Sequence, residues 1–341
     1  MKRMFLTVCA VFLCLALIAP AISEAAPEHR WRMAQVHPVG SAFDLRAREF
    51  AALVYERSGG RLQVDVFSGG LLGDWTETFE MHMRGVLDMN MSPANANFDP
   101  RLNLAYYFPF LVRNFEEAKE VFHPDYGWAH RIITDLWADH NIKALAIIPV
   151  GMSGVSLNEV PPYYWDPTVS KGMRVRVMPI TPCQWVYEAL GFIATPIPFA
   201  ETYSAIQTGI VEGQMGGSPF QGWQFRDVNR VWVQYNDYFE TWWLSMYMGL
   251  WNNLSPEDQE IIQAAALEVS ETQWARAAIG DEHYRQRLID EYGWEIVMLT
   301  DEQLTVVADH VRSVVWPQME TLIGTELMNR ILEESGIPRT W

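Results

Sequence analysis

Between Ser255 and Tyr292 the only proline is Pro256, and only Gly280 weakens an otherwise helix-competent stretch. Its start is well marked: Ser255 as N-cap, Pro256 at the first helical position and an acid at the third. At 1.5 Å per residue these 38 residues extend about 57 Å. A rod of that length outruns one domain, so it must run across two bodies. The chain, at 341 residues, has room for two cores of ordinary size.

Strand and helix patterns alternate along the rest, which points to α/β layers. Strands are predicted at 32–36, 62–67, 86–91, 144–150, 173–177 and 193–197, and helices at 43–58, 76–84, 128–139, 182–190 and 200–208. Asn114 with Glu117 makes a capping-box pattern for another helix. Thr300 with Gln303 caps a last one over 302–323, with Gly324 as its stop. A crossover between domains is placed near Gly151, ahead of a loop rich in proline and aromatics at 161–167.

The first 25 residues stand apart. Lys2 and Arg3 precede an apolar run over 5–22, and Ser23-Glu24-Ala25 puts small residues at −3 and −1. This reads as a secretory signal peptide cleaved after Ala25. The run approaches the roughly 20 residues of a spanning helix, but the small-residue site and the lack of a basic stop-transfer flank favour cleavage. Leu13 before Cys14 argues against a lipid-modified cysteine. Cleavage removes Cys9 and Cys14, leaving Cys183 alone and no internal disulfide.

Losing Lys2, Arg3 and Glu24 takes 25 basic and 42 acidic residues to 23 and 41, a net charge of −18. Such a surface argues against nucleic acid and anionic membranes. An anionic ligand would approach against the global field and would need a specific local cation.

Enzyme signatures are missing one after another. Gly151-Met152-Ser153-Gly154-Val155 ends in valine where a nucleophile elbow needs glycine. No phosphate or dinucleotide loop occurs, and the eight histidines show no metal-ligand spacing. Asp74, Glu77 and Glu80 at helical spacing read as a solvated face, not an acid/base pair. The expectation is a binding protein, not an enzyme, with no metal or cofactor.

Two segments carry a family resemblance. Residues 43–87 hold a helix, a Ser58-Gly59-Gly60-Arg61 turn, a strand, a Leu72-Gly73 step and an Arg84-Gly85 helix end. Residues 171–214 hold Lys171-Gly172 before Arg176-Val177, Ala189-Leu190-Gly191, Pro196-Ile197-Pro198-Phe199-Ala200-Glu201 and Gly209-Ile210-Val211-Glu212-Gly213-Gln214. Together they resemble the substrate-binding proteins of TRAP (tripartite ATP-independent periplasmic) transporters, DctP-type.

The resemblance implies a two-lobed periplasmic-binding-protein fold of α/β class, a cleft between the lobes and a long helix spanning both. Lobe I would take 26–150 and about 240–278; lobe II would take 151–239 and about 279–341. The function implied is periplasmic capture of a small organic acid by hinge closure and delivery to small and large integral-membrane subunits. A periplasmic sensor signalling to a membrane receptor is the alternative.

The family's carboxylate-gripping arginine falls on Arg176, whose planar fork matches a carboxylate as lysine cannot. Arg174 is read as nearer the rim. Phe199 falls where an aromatic packs on the ligand, and Gln214 either lines the cleft or braces it. The sequence departs from part of the family at three positions: Ser153 replaces an arginine, Gly216 an asparagine, and Pro93, in the turn that carries Asn95, an acid. Trp75 and Trp223 fall near expected cleft segments. A roomier, less polar pocket follows, suited to a monocarboxylate with a bulky or aromatic body.

Overall fold

The computed structural model describes residues 26–341, so the predicted signal peptide lies outside the described residues. The first sheet contains β1 (His29–Ala34), β2 (Leu62–Phe67), β3 (Met89–Ser92), β4 (Ile142–Met152) and β10 (Phe239–Tyr247), ordered β2-β1-β3-β10-β4. The second contains β5 (Val155–Leu157), β6 (Arg174–Val177), β7 (Ile193–Pro196), β8 (Gly213–Met215), β9 (Val231–Gln234) and β11 (Glu295–Met298), ordered β11-β9-β5-β8-β6-β7. Each sheet is the centre of one lobe. Strands β1, β2 and β3 pair in parallel because helices Ala42–Arg57 and Trp75–Met83 make the crossovers.

Two strand pairs join the lobes. β4 lies antiparallel to β10 in the first sheet, and β5 antiparallel to β9 in the second. Only Ser153 and Gly154 separate β4 from β5, and residues 235–238 separate β9 from β10. One two-stranded ribbon therefore passes through both sheets. Periodicity missed β9 and β10 because both run through covered sheets: eight of the nine residues in β10 are buried. Alternate β10 residues feed different cores, Trp242, Leu244 and Met246 on one face and Phe239 and Trp243 on the other.

The long helix is Pro256–Tyr292, capped by the Ser255 side chain and ended by left-handed Gly293. It packs on β4 and helix Ala42–Arg57, then reaches helix Pro219–Gln224 of the second lobe. Small Ala265 and Ala266 permit close approach to the first core, while Gly280 faces open space. Asp74 and Glu77 form a capping box on Trp75–Met83, and Glu80 pairs with Arg84. These acids therefore do local structural work.

Helix Asp301–Ile323 packs on helix Thr181–Ala189 of the second lobe and also binds the first. Trp316 donates its indole N–H to the Pro109 carbonyl at 2.9 Å, and Arg312 donates to that of Phe110 at 2.7 Å. A further helix, Thr325–Ser335, follows the Gly324 corner. No side chain caps its start, so it lacks the signal that marks the long helix and helix Asp301–Ile323.

Gly151 packs tightly where β4 approaches the long helix. A Cβ there would stand 2.3 Å from Asp281 Oδ1 and 2.6 Å from Ser218 Cβ. Gly151→Ala should cost about 1–3 kcal/mol through this overpacking. Urea unfolding checks it: an unchanged midpoint would mean the ribbon and helix separate freely.

Candidate functional site

Arg176 occupies β6 between fully buried Val175 and Val177, in register with Thr195 of β7 and Gln214 of β8. Only 2% of the residue is exposed. Its Nε donates to the Ile197 carbonyl at 2.8 Å. Its terminal nitrogens have no hydrogen bond or ion pair among the described residues. Lys171, the other buried Lys or Arg, donates instead to the carbonyls of Tyr163, Asp166 and Val169. Burial lowers the Arg176 pKa to about 10, which leaves it charged at neutral pH. A buried, half-used guanidinium is a costly group unless an anion completes it.

Aromatic rings from both lobes surround this charge. Phe199 lies 5.8 Å from the guanidinium and presents an edge contact to His37 at 6.3 Å across the cleft. His37 stacks on Phe43 at 4.3 Å and leans on Trp242 at 4.8 Å. Tyr106 of the first lobe donates to Met178 Sδ of the second at 2.9 Å. Its ring lies 6.2 Å from Tyr238 and 6.0 Å from Trp75.

The inner end of the cleft, at the ribbon, is acidic. Asp237 accepts from Ser153 Oγ at 2.6 Å and Tyr107 hydroxyl at 3.1 Å. Asp281 accepts from the Met152 backbone N–H at 3.0 Å. Glu240, opposite Gly151 in the β4–β10 register, accepts from Trp242 Nε1 at 3.1 Å. Burial raises all three, Asp237 to about 6, Glu240 to about 7 and Asp281 to about 8.

The other sequence-derived residues divide. Trp75 joins the aromatic wall through Tyr106. Gly216 is buried against Tyr238, whose hydroxyl would lie 3.4 Å from an added Cβ. Gln214 braces the sheet, donating to Ser156 Oγ and accepting from Gln221. Ser153 is tied into the crossover, donating to Asp237 and accepting from the Tyr238 N–H. Pro93 is buried after β3, and Asn95 closes its own turn while donating to Thr76 Oγ1. Trp223 goes elsewhere, held between Arg226 and Arg287 at 4.1 and 4.8 Å and packed on the Trp232–Leu288–Trp294 cluster. Arg174 is exposed and paired with Glu212 at 2.5 Å.

Sequence reasoning missed Tyr106, Tyr238, His37, Trp242, Glu240 and Asp281. Two of them left a signal. Glu240 is the lone acid in an otherwise uncharged buried strand, and Asp281 continues the buried stripe Trp274, Ala277 along the long helix. Away from the cleft, His123, Asp125 and Glu271 offer ligand atoms within 4.8 Å of one another. There Nδ1 of His123 accepts from the Asp125 backbone N–H, which leaves Nε2 to donate to Glu271. The imidazole is thereby used in a closed hydrogen-bond set.

Residues 33–321 match the family model described as bacterial extracellular solute-binding protein, family 7. A solute-binding protein of Chromohalobacter salexigens is 24% identical over 80% of this chain and 81% of its own. The ectoine-binding periplasmic protein TeaA of Halomonas elongata is 25% identical over 72% of this chain and 71% of its own. Among solved structures, a TRAP periplasmic solute-binding protein from Chromohalobacter salexigens with bound D-glucuronate superposes with a TM-score of 0.80. It is 21% identical and covers 90% of this chain and 99% of that one.

The three raised acids give a pH signature. The folded chain holds protons that the unfolded chain releases near its ordinary carboxylate values, so their contribution to stability falls as pH rises from about 4 to about 8. Asp281→Asn should flatten that decline. Melting temperatures measured across this range check it, and equal slopes in variant and parent would contradict the assignment.

Proposed function

The chain belongs to bacterial extracellular solute-binding protein family 7, and from that premise we propose that it captures a small organic monocarboxylate between its lobes. The TRAP solute-binding proteins it resembles are substrate-binding transport proteins, not enzymes. The observation that carries the reading is Arg176, buried and charged, with terminal nitrogens unspent among the described residues. A carboxylate would take both in a bidentate pair.

The choice of one carboxylate over two follows from the surroundings. Lys171 is consumed by carbonyls, and the inner end of the cleft carries Glu240 and Asp281. A second ligand carboxylate would meet no cation there and two acids. Phe199, Tyr106, Tyr238 and Trp75 supply apolar area for a bulky body, at about 25 cal/mol per Å² removed from water. Ectoine and D-glucuronate, bound by relatives, each offer one carboxylate on a compact ring.

Closure would be a hinge motion about the ribbon at 153–154 and 235–238, with the long helix as the third link. After export and cleavage near Ala25, the loaded protein would deliver its ligand to the small and large membrane subunits of a TRAP transporter. The sensor alternative gains no support from these relatives.

Arg176→Ala should cost about 2–5 kcal/mol of ligand affinity, and Arg176→Lys should recover little because the fork is lost. A thermal-shift panel of succinate, sialic acid, branched oxo acids and aryl acids, followed by calorimetry on the best binder, checks both claims. Native affinity in the alanine variant would remove Arg176 from the site, and strongest stabilisation by succinate would overturn the single-carboxylate preference.

A further inference from the structure

We propose that the ligand carries, besides the carboxylate held by Arg176, a protonated amine or amidine that pairs with Glu240, so that the cleft selects zwitterions over plain acids. This rests on the carboxylate reading above and adds the chemistry of the ligand's other end.

Glu240 is 7% exposed, and its one hydrogen bond among the described residues is the indole N–H of Trp242 on Oε1. Neither Oε2 nor the carboxylate as a whole has a cation partner there. The two buried cations are accounted for: Lys171 lies on carbonyls and Arg176 on Ile197. A chain of contacts links Glu240 to Arg176 across the two lobes. Trp242, bonded to Glu240, leans on His37; His37 faces Phe199; Phe199 lies beside Arg176. Tyr106 and Tyr238 complete the other wall, and each stands within electrostatic reach of both Glu240 and Arg176.

A carboxyl in this strand serves no evident folding purpose. Its face-mates in β10, Trp242, Leu244 and Met246, are packed hydrophobics, and an apolar side chain at position 240 would avoid the desolvation cost. The groups around Glu240 do not supply the missing countercharge. Asp281 on the long helix is another acid; Tyr106 and Tyr238 are held neutral by burial; His37, lowered to about 4, is uncharged at neutral pH. Arg285 acts on Asp281 from its far side and donates to Gln234 and Glu282. A ligand cation would therefore find Glu240 without a cation partner among the described residues, and beside it Asp281, which feels Arg285. Because burial holds Glu240 near pH 7, pairing would drive it to the carboxylate and release a proton.

The test compares ω-amino acids of three to six carbons, and ectoine, with alkanoates matched in length. Calorimetry is run on the parent, Glu240→Gln and Arg176→Ala in two buffers of different ionisation enthalpy. Glutamine keeps an acceptor for Trp242, and the melting curve of each variant confirms folding. In the parent, at least one zwitterion should bind about tenfold or more tighter than its matched acid, with proton release. Glu240→Gln should erase that difference and the proton release. Alkanoates that equal or outbind every zwitterion, a preference that survives Glu240→Gln, or no binding by any zwitterion would overturn the proposal. Failure of the underlying reading looks different: Arg176→Ala would then leave the binding of both series unchanged.

Discussion

The continuous pairing of β4 with β10 and of β5 with β9 is the constraint on which the rest depends. It gives each lobe an antiparallel pair, at the edge of the first sheet and inside the second, and leaves the lobes joined by two short crossings. Buried groups pin those crossings. Ser153 donates to Asp237 and accepts from the Tyr238 N–H, while Asp281 reaches from the long helix to the Met152 N–H. Both kinds of partner satisfy the backbone at the crossing: the Ser153 N–H donates to the Tyr238 carbonyl and the Asn236 N–H to that of Ser153, while side chains take the N–H groups of Tyr238 and Met152. The same ribbon carries Tyr238 and Glu240, so the crossings and the candidate site share one segment.

The electrostatics of the cleft run against those of the surface. A chain with 42 acidic and 25 basic residues repels anions at long range. Screening shortens that field to about 8 Å at physiological ionic strength, whereas the guanidinium of Arg176 acts in a water-poor space where a charge is felt strongly. A local charge of this kind is strengthened by the same burial that lowers the arginine's pKa. The acids at the ribbon divide the cleft into a cationic end and an end lined with carboxyl groups whose pKa values burial raises, with aromatic rings between them.

Legibility followed the physics of each element. The long helix was readable because Ser255 and Pro256 are local start signals and no later proline interrupts it, none of which needs tertiary context. Strand β2 alternates and was found over its full range. Strand β10 is covered on both faces, so its sequence lost the alternation that would have revealed it. The final helix began without a side-chain cap and went unread. In the site, Arg176 stood out through flanking valines and family position, but the structural partners of Ser153 and Gln214, Asp237 and Ser156, lie 84 and 58 residues away and left no local sign. Trp223 illustrates the limit: its neighbours Arg226 and Arg287 are 61 residues apart in the chain.

By itself the sequence determined the α/β class, the family and the helix linking two lobes, and it singled out Arg176 as the candidate anchor. These rest on local chemistry: caps, periodicity, and motifs whose residues are adjacent in the chain. Tertiary structure decided what Arg176 faces, which aromatic rings enclose it, and that Glu240 and Asp281 lie at the cleft's inner end. Charge and burial at a site are set by neighbours brought from distant segments. Glu240 and Arg176 come from different sheets, and only tertiary contacts, among them His37 against Phe199, connect them.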